Sequence, residues 1–145
     1  MTHTLTPFHL AIEVRDIAEA RHFYGQKLGC PEGRSDESWV DFNFFGHQLV
    51  CHLSRNYPAI RGESSNNPVD GHAVPVPHFG VVLTMDQWKA LVSKLEAAAI
   101  DFVIAPHIRF EGQPGEQATM FFLDPSGNPL EFKAFQNIDT QLFQA

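Results

Sequence analysis

Apolar positions along the chain predict the same order of elements twice. A short apolar strand beginning at His9 runs into a segment with apolar residues at helical spacing (Ala20, Phe23, Tyr24, Leu28). A second strand, beginning at His78, runs into another such segment (Trp88, Leu91, Val92, Leu95). Further strands follow each helix. The pattern therefore predicts an internal repeat of two β-α-β-β-β modules and an α+β fold.

Local signals place the boundaries of these elements. Asp16, with Glu19 three residues later, predicts a helix start, and Gly29 predicts a left-handed stop. Strands are predicted in pairs around turns: 39–45 and 48–53 around Gly46, then 119–123 and 130–135 around the turn at 124–128.

The repeat predicts one domain over residues 1–145. Module one spans about 7–54, module two about 78–136, and the linker of about 55–77 is rich in Asn, Pro, Gly and Ser, which favour irregular structure. A second irregular stretch is predicted at 105–117. Each module is too small to bury a good core alone, so we expect the two to pack together or to pair with another chain.

Composition excludes several classes of function. A net charge of -7 without a basic stripe argues against nucleic acid as a partner. No stretch approaches the roughly 20 apolar residues that span a membrane, and the first residues do not resemble a signal peptide, so a cytoplasmic protein is expected. In a reducing compartment Cys30 and Cys51 are expected to be small apolar fillers.

Strand parity indicates a metal site. Glu131 and Lys133 share one face of the last strand, and the apolar Leu130, Phe132 and Ala134 lie on the other. A carboxylate in such a run needs a partner, because burying an unpaired charge is costly. The histidines that open the two modules, His9 and His78, are the natural partners.

His52 extends this set. It shares a face with Val50 and Gln48, and if the modules are related by a two-fold axis, its strand corresponds to the strand of Glu131. His52 is then either a fourth ligand or an acid and base beside the metal. Two imidazoles and a carboxylate suit non-haem Fe(II), although Zn, Ni, Co or Mn also accept such ligands.

Two segments carry a resemblance to a known family. The run 122–132, with its Asp-Pro-Ser-Gly-Asn turn followed by Leu-Glu-Phe, and the segment 21–29, with Arg-His-Phe-Tyr and Leu-Gly, resemble the vicinal oxygen chelate superfamily of glyoxalases, bleomycin resistance proteins and extradiol dioxygenases. The resemblance implies two modules whose mixed sheets curl into a cup around a divalent metal.

By position, the resemblance places metal ligands at His9, His78 and Glu131, as in the iron site of extradiol dioxygenases. The place of a fourth ligand in glyoxalase I is expected to hold His52. The segments 76–83 and 109–112 resemble bacterial proteins described as predicted extradiol-type dioxygenases.

The expected function is therefore a dioxygenase that cleaves a small catecholic ring beside its vicinal diol, with Fe(II) as cofactor and a homodimer as the expected assembly. His52 would act as acid and base, and Lys133, Arg109 or Tyr57 would hold an anionic substrate. The alternatives are a glyoxalase I-like lyase or isomerase with a redox-inert metal, or a metal-free protein that binds a small molecule.

Overall fold

The computed structural model describes residues 5–54, 65–69 and 72–143 of the chain. The chain is divided into two compact units, residues 1–62 and 63–145. Each unit contains one β-α-β-β-β module, and so the predicted α+β class and the internal repeat are confirmed. Tyr57 lies outside the described residues.

Unit 1 is a four-stranded mixed sheet with one helical segment. The strands follow the order β1-β4-β3-β2, with β1 parallel to β4 and the other neighbours antiparallel. The elements are β1 (His9–Val14), α1 (Ile17–Ala20), a π-helical continuation (Arg21–Lys27), β2 (Glu32–Asp36), β3 (Trp39–Phe44) and β4 (His47–Leu53).

The predicted signals act as expected in unit 1. The Asp16 carboxylate accepts a hydrogen bond from the backbone N–H of Glu19 at 2.7 Å and caps α1. Gly29 adopts a φ of 78°, a left-handed conformation that suits glycine. The helical segment buries Phe23 and Tyr24 against the sheet, where the Tyr24 ring lies 5.7 Å from that of Phe42. These contacts fix the helix over one face of the sheet.

Unit 2 repeats this architecture and adds a hairpin before it. Its main sheet follows the order β7-β10-β9-β8, and β5 pairs with β6 in a separate two-stranded sheet. The elements are β5 (Ser65–Val69), β6 (His72–Val76), β7 (Val82–Thr84), α2 (Met85–Ala97), β8 (Phe102–Arg109), β9 (Gln117–Leu123), β10 (Pro129–Phe135) and α3 (Ile138–Gln141).

The prediction of a wholly irregular linker is wrong for part of it. Residues 65–69 and 72–76 form the β5-β6 hairpin, and Val74 of β6 is buried with Ile104 and Phe121 of the main sheet. The stretch 105–117 is also partly regular, because β8 extends through it to Arg109. His78 does not open a strand either: β7 starts at Val82, and Phe79 makes an isolated bridge to Leu130.

The core of unit 2 lies between α2 and one face of β10. Leu130, Phe132 and Ala134 are fully buried, which confirms the predicted strand parity. The indole N–H of Trp88 donates to the backbone oxygen of Phe132 at 2.9 Å and ties α2 to β10. Glu131 is thereby turned to the opposite face.

The turn before β10 is held by one buried carboxylate. Asp124 Oδ1 accepts from the backbone N–H of Ser126 and of Asn128 at 2.9 and 2.8 Å, and Oδ2 accepts from the Asn128 side-chain amide at 2.7 Å. Gly127 supplies a φ of 88°. The motif that carries the family resemblance therefore fixes the start of β10.

Two further expectations concern the chain as a whole. Cys30 and Cys51 are buried free thiols, as expected of apolar fillers. No helix within 5–54, 65–69 or 72–143 has the length and apolar character needed to cross a membrane.

Candidate metal centre

The centre of unit 2 is a contact between His78 and Glu131. His78 Nε2 lies 3.2 Å from Glu131 Oε1, and the Glu131 side chain is only 11% exposed. The ring of Phe121 meets the imidazole edge-to-face at 4.9 Å between centroids. Two residues that the sequence analysis assigns to the metal are thus brought together by the fold.

A hydrogen bond to the backbone fixes which nitrogen of the neutral His78 ring carries the proton. Nδ1 lies 2.6 Å from the backbone oxygen of Pro75, which can only accept, so Nδ1 carries a hydrogen. In the neutral ring Nε2 then has a lone pair directed at Glu131. Metal-ligating histidines typically make this kind of bond through their other nitrogen.

The two facing atoms of this pair attract each other only when a positive charge lies between them. A neutral Nε2 and a carboxylate oxygen are both acceptors, and at 3.2 Å they repel each other unless a proton or a cation lies between them. Imidazole nitrogen and carboxylate oxygen are both common ligands of divalent metals. The chemistry of these donors therefore fits a metal ion, and a protonated His78 would also pair with this carboxylate.

Other contacts hold the Glu131 carboxylate in place. Thr119 donates its hydroxyl to Oε2 at 2.5 Å, and Lys133 Nζ lies 4.0 Å from Oε1. The backbone of Glu131 passes directly over Gly80, and a Cβ atom at position 80 would overlap its carbonyl oxygen. Thr119 and Gly80 were not expected in the site, because their roles depend on strand pairing rather than on a motif.

A cavity of about 180 Å³ opens beside this pair. Val74, Ile104 and Phe121 form an apolar part of its wall. The polar side chains lining it are His78, His107, Arg109, Gln117, Thr119, Glu131 and Lys133. Apolar walls with a few convergent polar groups are typical of small-molecule sites.

Strand register explains why these polar residues converge. His107 of β8 pairs with Thr119 of β9, which in turn pairs with Lys133 of β10, so the three lie in one row across the sheet. Arg109 pairs with Gln117, and its guanidinium donates to the Gln117 side chain at 3.3 Å. Two full positive charges, those of Arg109 and Lys133, line the cavity with the single carboxylate of Glu131.

In unit 1, His9 makes a different set of bonds. His9 is exposed at the start of β1, and Nδ1 lies 2.8 Å from Gln48 Oε1. The Gln48 amide donates in turn to the carboxylate of Asp41 at 3.2 Å. Neither Gln48 nor Asp41 was expected to support the site.

The correspondence expected between His52 and Glu131 is wrong by two residues. Leu10, which follows His9, pairs with Leu49, whereas Phe79, which follows His78, pairs with Leu130. Val50 therefore occupies the place of Glu131, and His52 occupies that of Lys133.

The same register separates His52 from His9. His52 pairs with Glu13 on β1, four residues along the strand from His9, or about 13 Å at roughly 3.3 Å per residue. His52 does keep the predicted face of β4, shared with Gln48 and Val50. The fold therefore does not place His52 beside His9 as a ligand.

No group of three His, Cys, Asp or Glu side chains within the described part of the chain is arranged to hold a metal. In unit 2 the two such side chains in contact with each other are His78 and Glu131. A mononuclear site with an open position normally has three protein ligands, so a metal held by this pair would need one more.

Comparison with known proteins agrees with this architecture. Residues 6–132 match the model of the Glyoxalase/Bleomycin resistance protein/Dioxygenase superfamily. The chain belongs to this superfamily. Its members include lyases and dioxygenases, and they commonly use divalent metals. No curated protein matches the chain.

Solved structures of the superfamily resemble the chain over nearly its full length. A glyoxalase/bleomycin resistance protein/dioxygenase from Alicyclobacillus acidocaldarius is 36% identical, with 96% of this chain and 98% of that chain covered and a TM-score of 0.74. A lactoylglutathione lyase from Agrobacterium tumefaciens is 18% identical, with 93% and 97% covered and a TM-score of 0.61. A glyoxalase/dioxygenase from Nostoc punctiforme is 19% identical, with 92% and 97% covered and a TM-score of 0.63. The last two show the shared fold alone.

Proposed function

We propose that this superfamily member is a metal-dependent, extradiol-type dioxygenase in which His9, His78 and Glu131 hold Fe(II). The observation that carries the proposal is the 3.2 Å approach of two acceptors, His78 Nε2 and Glu131 Oε1, with His78 Nδ1 already bonded to Pro75. His9 supplies a third ligand, a nitrogen of the same kind as that of His78, since its Nδ1 is engaged by Gln48.

The register of unit 1 favours a dioxygenase over a lyase with four protein ligands. Val50, an apolar residue, stands where Glu131 stands in unit 2. Three protein ligands leave open positions on the metal, as ring-cleaving dioxygenases need for a chelating diol and for dioxygen. A bound Fe(II) would supply Lewis acidity and one-electron chemistry, and both atoms of dioxygen would enter the product as the ring bond beside the diol breaks.

The protein side chains orient the substrate and move its protons. Thr119 holds the Glu131 carboxylate, and the apolar wall with Phe121 excludes water from an aromatic ring. His52, on the same face of β4 as Gln48, is proposed as the base that takes a proton from the diol and later returns it. Its place in the register, matching Lys133 rather than Glu131, suits such a role better than metal ligation.

The charge of the cavity indicates an anionic substrate. Arg109 and Lys133 line it with only one carboxylate, in a chain whose net charge is -7. Arg109 presents a planar guanidinium that matches a carboxylate group. A catechol that carries a carboxylate on its ring, such as 3,4-dihydroxybenzoate, is therefore the proposed class of substrate.

Metal analysis of protein purified and reconstituted without oxygen tests the proposal, together with oxygen uptake on a panel of catechols. Iron with catechol-dependent uptake is the expected result. Zinc, nickel or manganese without uptake would instead support a lyase or isomerase, and no bound metal would support a small-molecule binding protein. Replacing His52 with alanine should leave metal bound and slow turnover, whereas loss of metal would make His52 a ligand.

We also propose a cytoplasmic homodimer, whose sites are completed either within a chain or between chains. Mixing His9→Ala with Glu131→Ala protein after mild denaturation and refolding distinguishes these two arrangements. Restored metal binding in the mixture requires that each site draw on two chains. If heterodimers form but metal binding is not restored, His9 and Glu131 of one chain act together.

A further inference from the structure

A buried carboxylate lies behind His9, at the end of a chain of hydrogen bonds. Asp41 on β3 is 6% exposed, and Oδ1 accepts from the backbone N–H of Arg34. Oδ2 accepts from the Gln48 amide at 3.2 Å, while the largely exposed Arg34 side chain lies 4.0 Å away. Gly33 lies against this carboxylate, and a larger residue there would force the carboxylate to move, since its Cβ would overlap Oδ1. The carboxylate is therefore held closely on both sides.

The carboxylate fixes the direction of every bond in the chain. Ionised Asp41 can only accept, so Gln48 must turn its NH₂ group towards it. The Gln48 oxygen then faces His9 Nδ1 at 2.8 Å, and an amide oxygen can only accept. Nδ1 of His9 must therefore carry the hydrogen, which leaves the lone pair of the neutral ring on Nε2.

We propose that Asp41 and Gln48 are positioning residues that hold His9 in its Nδ1–H tautomer, with Nε2 presented to a divalent cation. The role towards a cation rests on the proposed function, whereas the tautomer does not. Fixing the tautomer and the ring before binding removes an ordering cost that the cation would otherwise have to offset.

The two modules reach the same tautomer by different means. His78 donates Nδ1–H to the backbone oxygen of Pro75, which no side-chain substitution removes. His9 depends on two side chains, Gln48 and Asp41, and its state can therefore be changed by mutation. Of the two histidines, His9 is therefore the one whose tautomer can be tested by substituting the residues that hold it.

The chain contains a matched comparison for His9. His22 Nδ1 lies 2.8 Å from Gln26 Oε1, the same distance as in the His9 pair, and both histidines are exposed. Among the contacts of the described residues, no carboxylate accepts from the Gln26 amide as Asp41 does from that of Gln48. The Gln26 amide can turn over, and His22 should sample both tautomers.

Nitrogen NMR of the imidazole rings at pH 8, on metal-free full-length protein, tests the proposal. His9→Gln and His22→Gln variants assign the two rings. In the wild type we expect the chemical shift of His9 Nδ1 to be that of a protonated imidazole nitrogen and the shift of His9 Nε2 to be that of an unprotonated one. For His22 we expect both nitrogens to show intermediate shifts, averaged over the two tautomers. Equal averaged shifts for His9 and His22 would overturn the proposal.

Asp41→Asn separates positioning from a merely structural role. The asparagine keeps an acceptor for the Arg34 N–H, yet it can also donate, so it no longer dictates the direction of the Gln48 amide. We expect the two His9 nitrogen shifts to move towards each other, with His22 unchanged. Unmoved shifts in a folded variant would mean that Asp41 only supports the pairing of β2 with β3, whose register shifts between Glu32 and Ser35.

Two further variants complete the test. Gln48→Met removes the link and should shift His9 as Asp41→Asn does, while Arg34→Met keeps the carboxylate and its backbone bond and should leave His9 unchanged. Zinc titration should show affinity lowered about 10- to 100-fold by Gln48→Met and not by Arg34→Met. If wild-type His9 shows the shifts of a single tautomer but the protein binds no zinc, the proposed function is contradicted and the positioning role is not. If the protein binds zinc but His9 shows averaged shifts, the positioning role is contradicted and the proposed function is not.

Discussion

Gly80 lies against the backbone of Glu131 so closely that no side chain can stand between them. The contact results from the pairing of this segment with β10, in which the N–H of Glu131 donates to the oxygen of Phe79 at 2.8 Å. The position of the Glu131 carboxylate therefore depends on a residue that has no polar side chain.

Gly80→Ala should destabilise the protein by about 3 kcal/mol, since overpacking against backbone forces the strand to move. It should also weaken metal binding, because Glu131 moves with β10. Urea denaturation and metal titration measure the two effects. Gly25→Ala is the control, since its Cβ would meet only an ordinary contact at 3.8 Å; equal stability of the two variants would contradict the prediction.

Glu131→Gln should separate stability from metal binding. The glutamine oxygen can accept from Thr119 while its NH₂ donates to His78 Nε2, replacing two facing acceptors with a hydrogen bond. At pH 8 and without metal we expect stability equal to the wild type or higher by about 1 kcal/mol. Metal binding should be lost, because the ligand charge is gone. A less stable variant that still binds metal would show that the pair is not a metal site.

Arg109→Met should raise KM for 3,4-dihydroxybenzoate about 10- to 100-fold, since a hydrogen bond to a charged group is worth about 1.5–3 kcal/mol. Oxygen uptake with catechol itself should change little, because catechol lacks the carboxylate. Lys94→Met, on α2 and not in the cavity wall, serves as the control. An equal rise in KM for both substrates would argue against a carboxylate site at Arg109.

Asp124→Asn should cost about 2–3 kcal/mol of stability. The carboxylate accepts three N–H groups in the turn before β10, and an amide would turn a donor towards one of them. Asp16→Asn is the matched control, because asparagine caps helices about as well as aspartate. Thermal unfolding compares the two, and similar losses would mean that the turn does not need the charge.

Much of the fold follows from local patterns in the sequence. The parity of β10 was predictable because alternation of Leu130, Phe132 and Ala134 with charged residues reports one buried face. The Asp16 cap and the Gly29 stop were predictable because they act within a few residues. Such signals need no knowledge of which strands pair.

Pairing between distant strands was not predictable in the same way. The place of His52 depends on the register of β4 against β1, and the sequence spacing does not report a shift of two residues. The sequence did not predict that β8 continues to Arg109, because Pro106 interrupts the strand pattern. Pro106 lies where the β8-β9 register shifts. A proline is tolerated there because β8 is an edge strand. Pro106 therefore marks a local irregularity within β8 and not the end of the strand.

The β5-β6 hairpin bears on any recombined or shortened form of the protein. It supplies the Pro75 oxygen that orients His78, and its Val74 forms part of the cavity wall. A chimera that joins this second module to another first module at residue 78 would keep both proposed ligands, His78 and Glu131, but lose the hydrogen bond that orients the imidazole. The natural crossover point for such designs therefore lies before residue 65, and the transferable part of unit 2 begins with the hairpin.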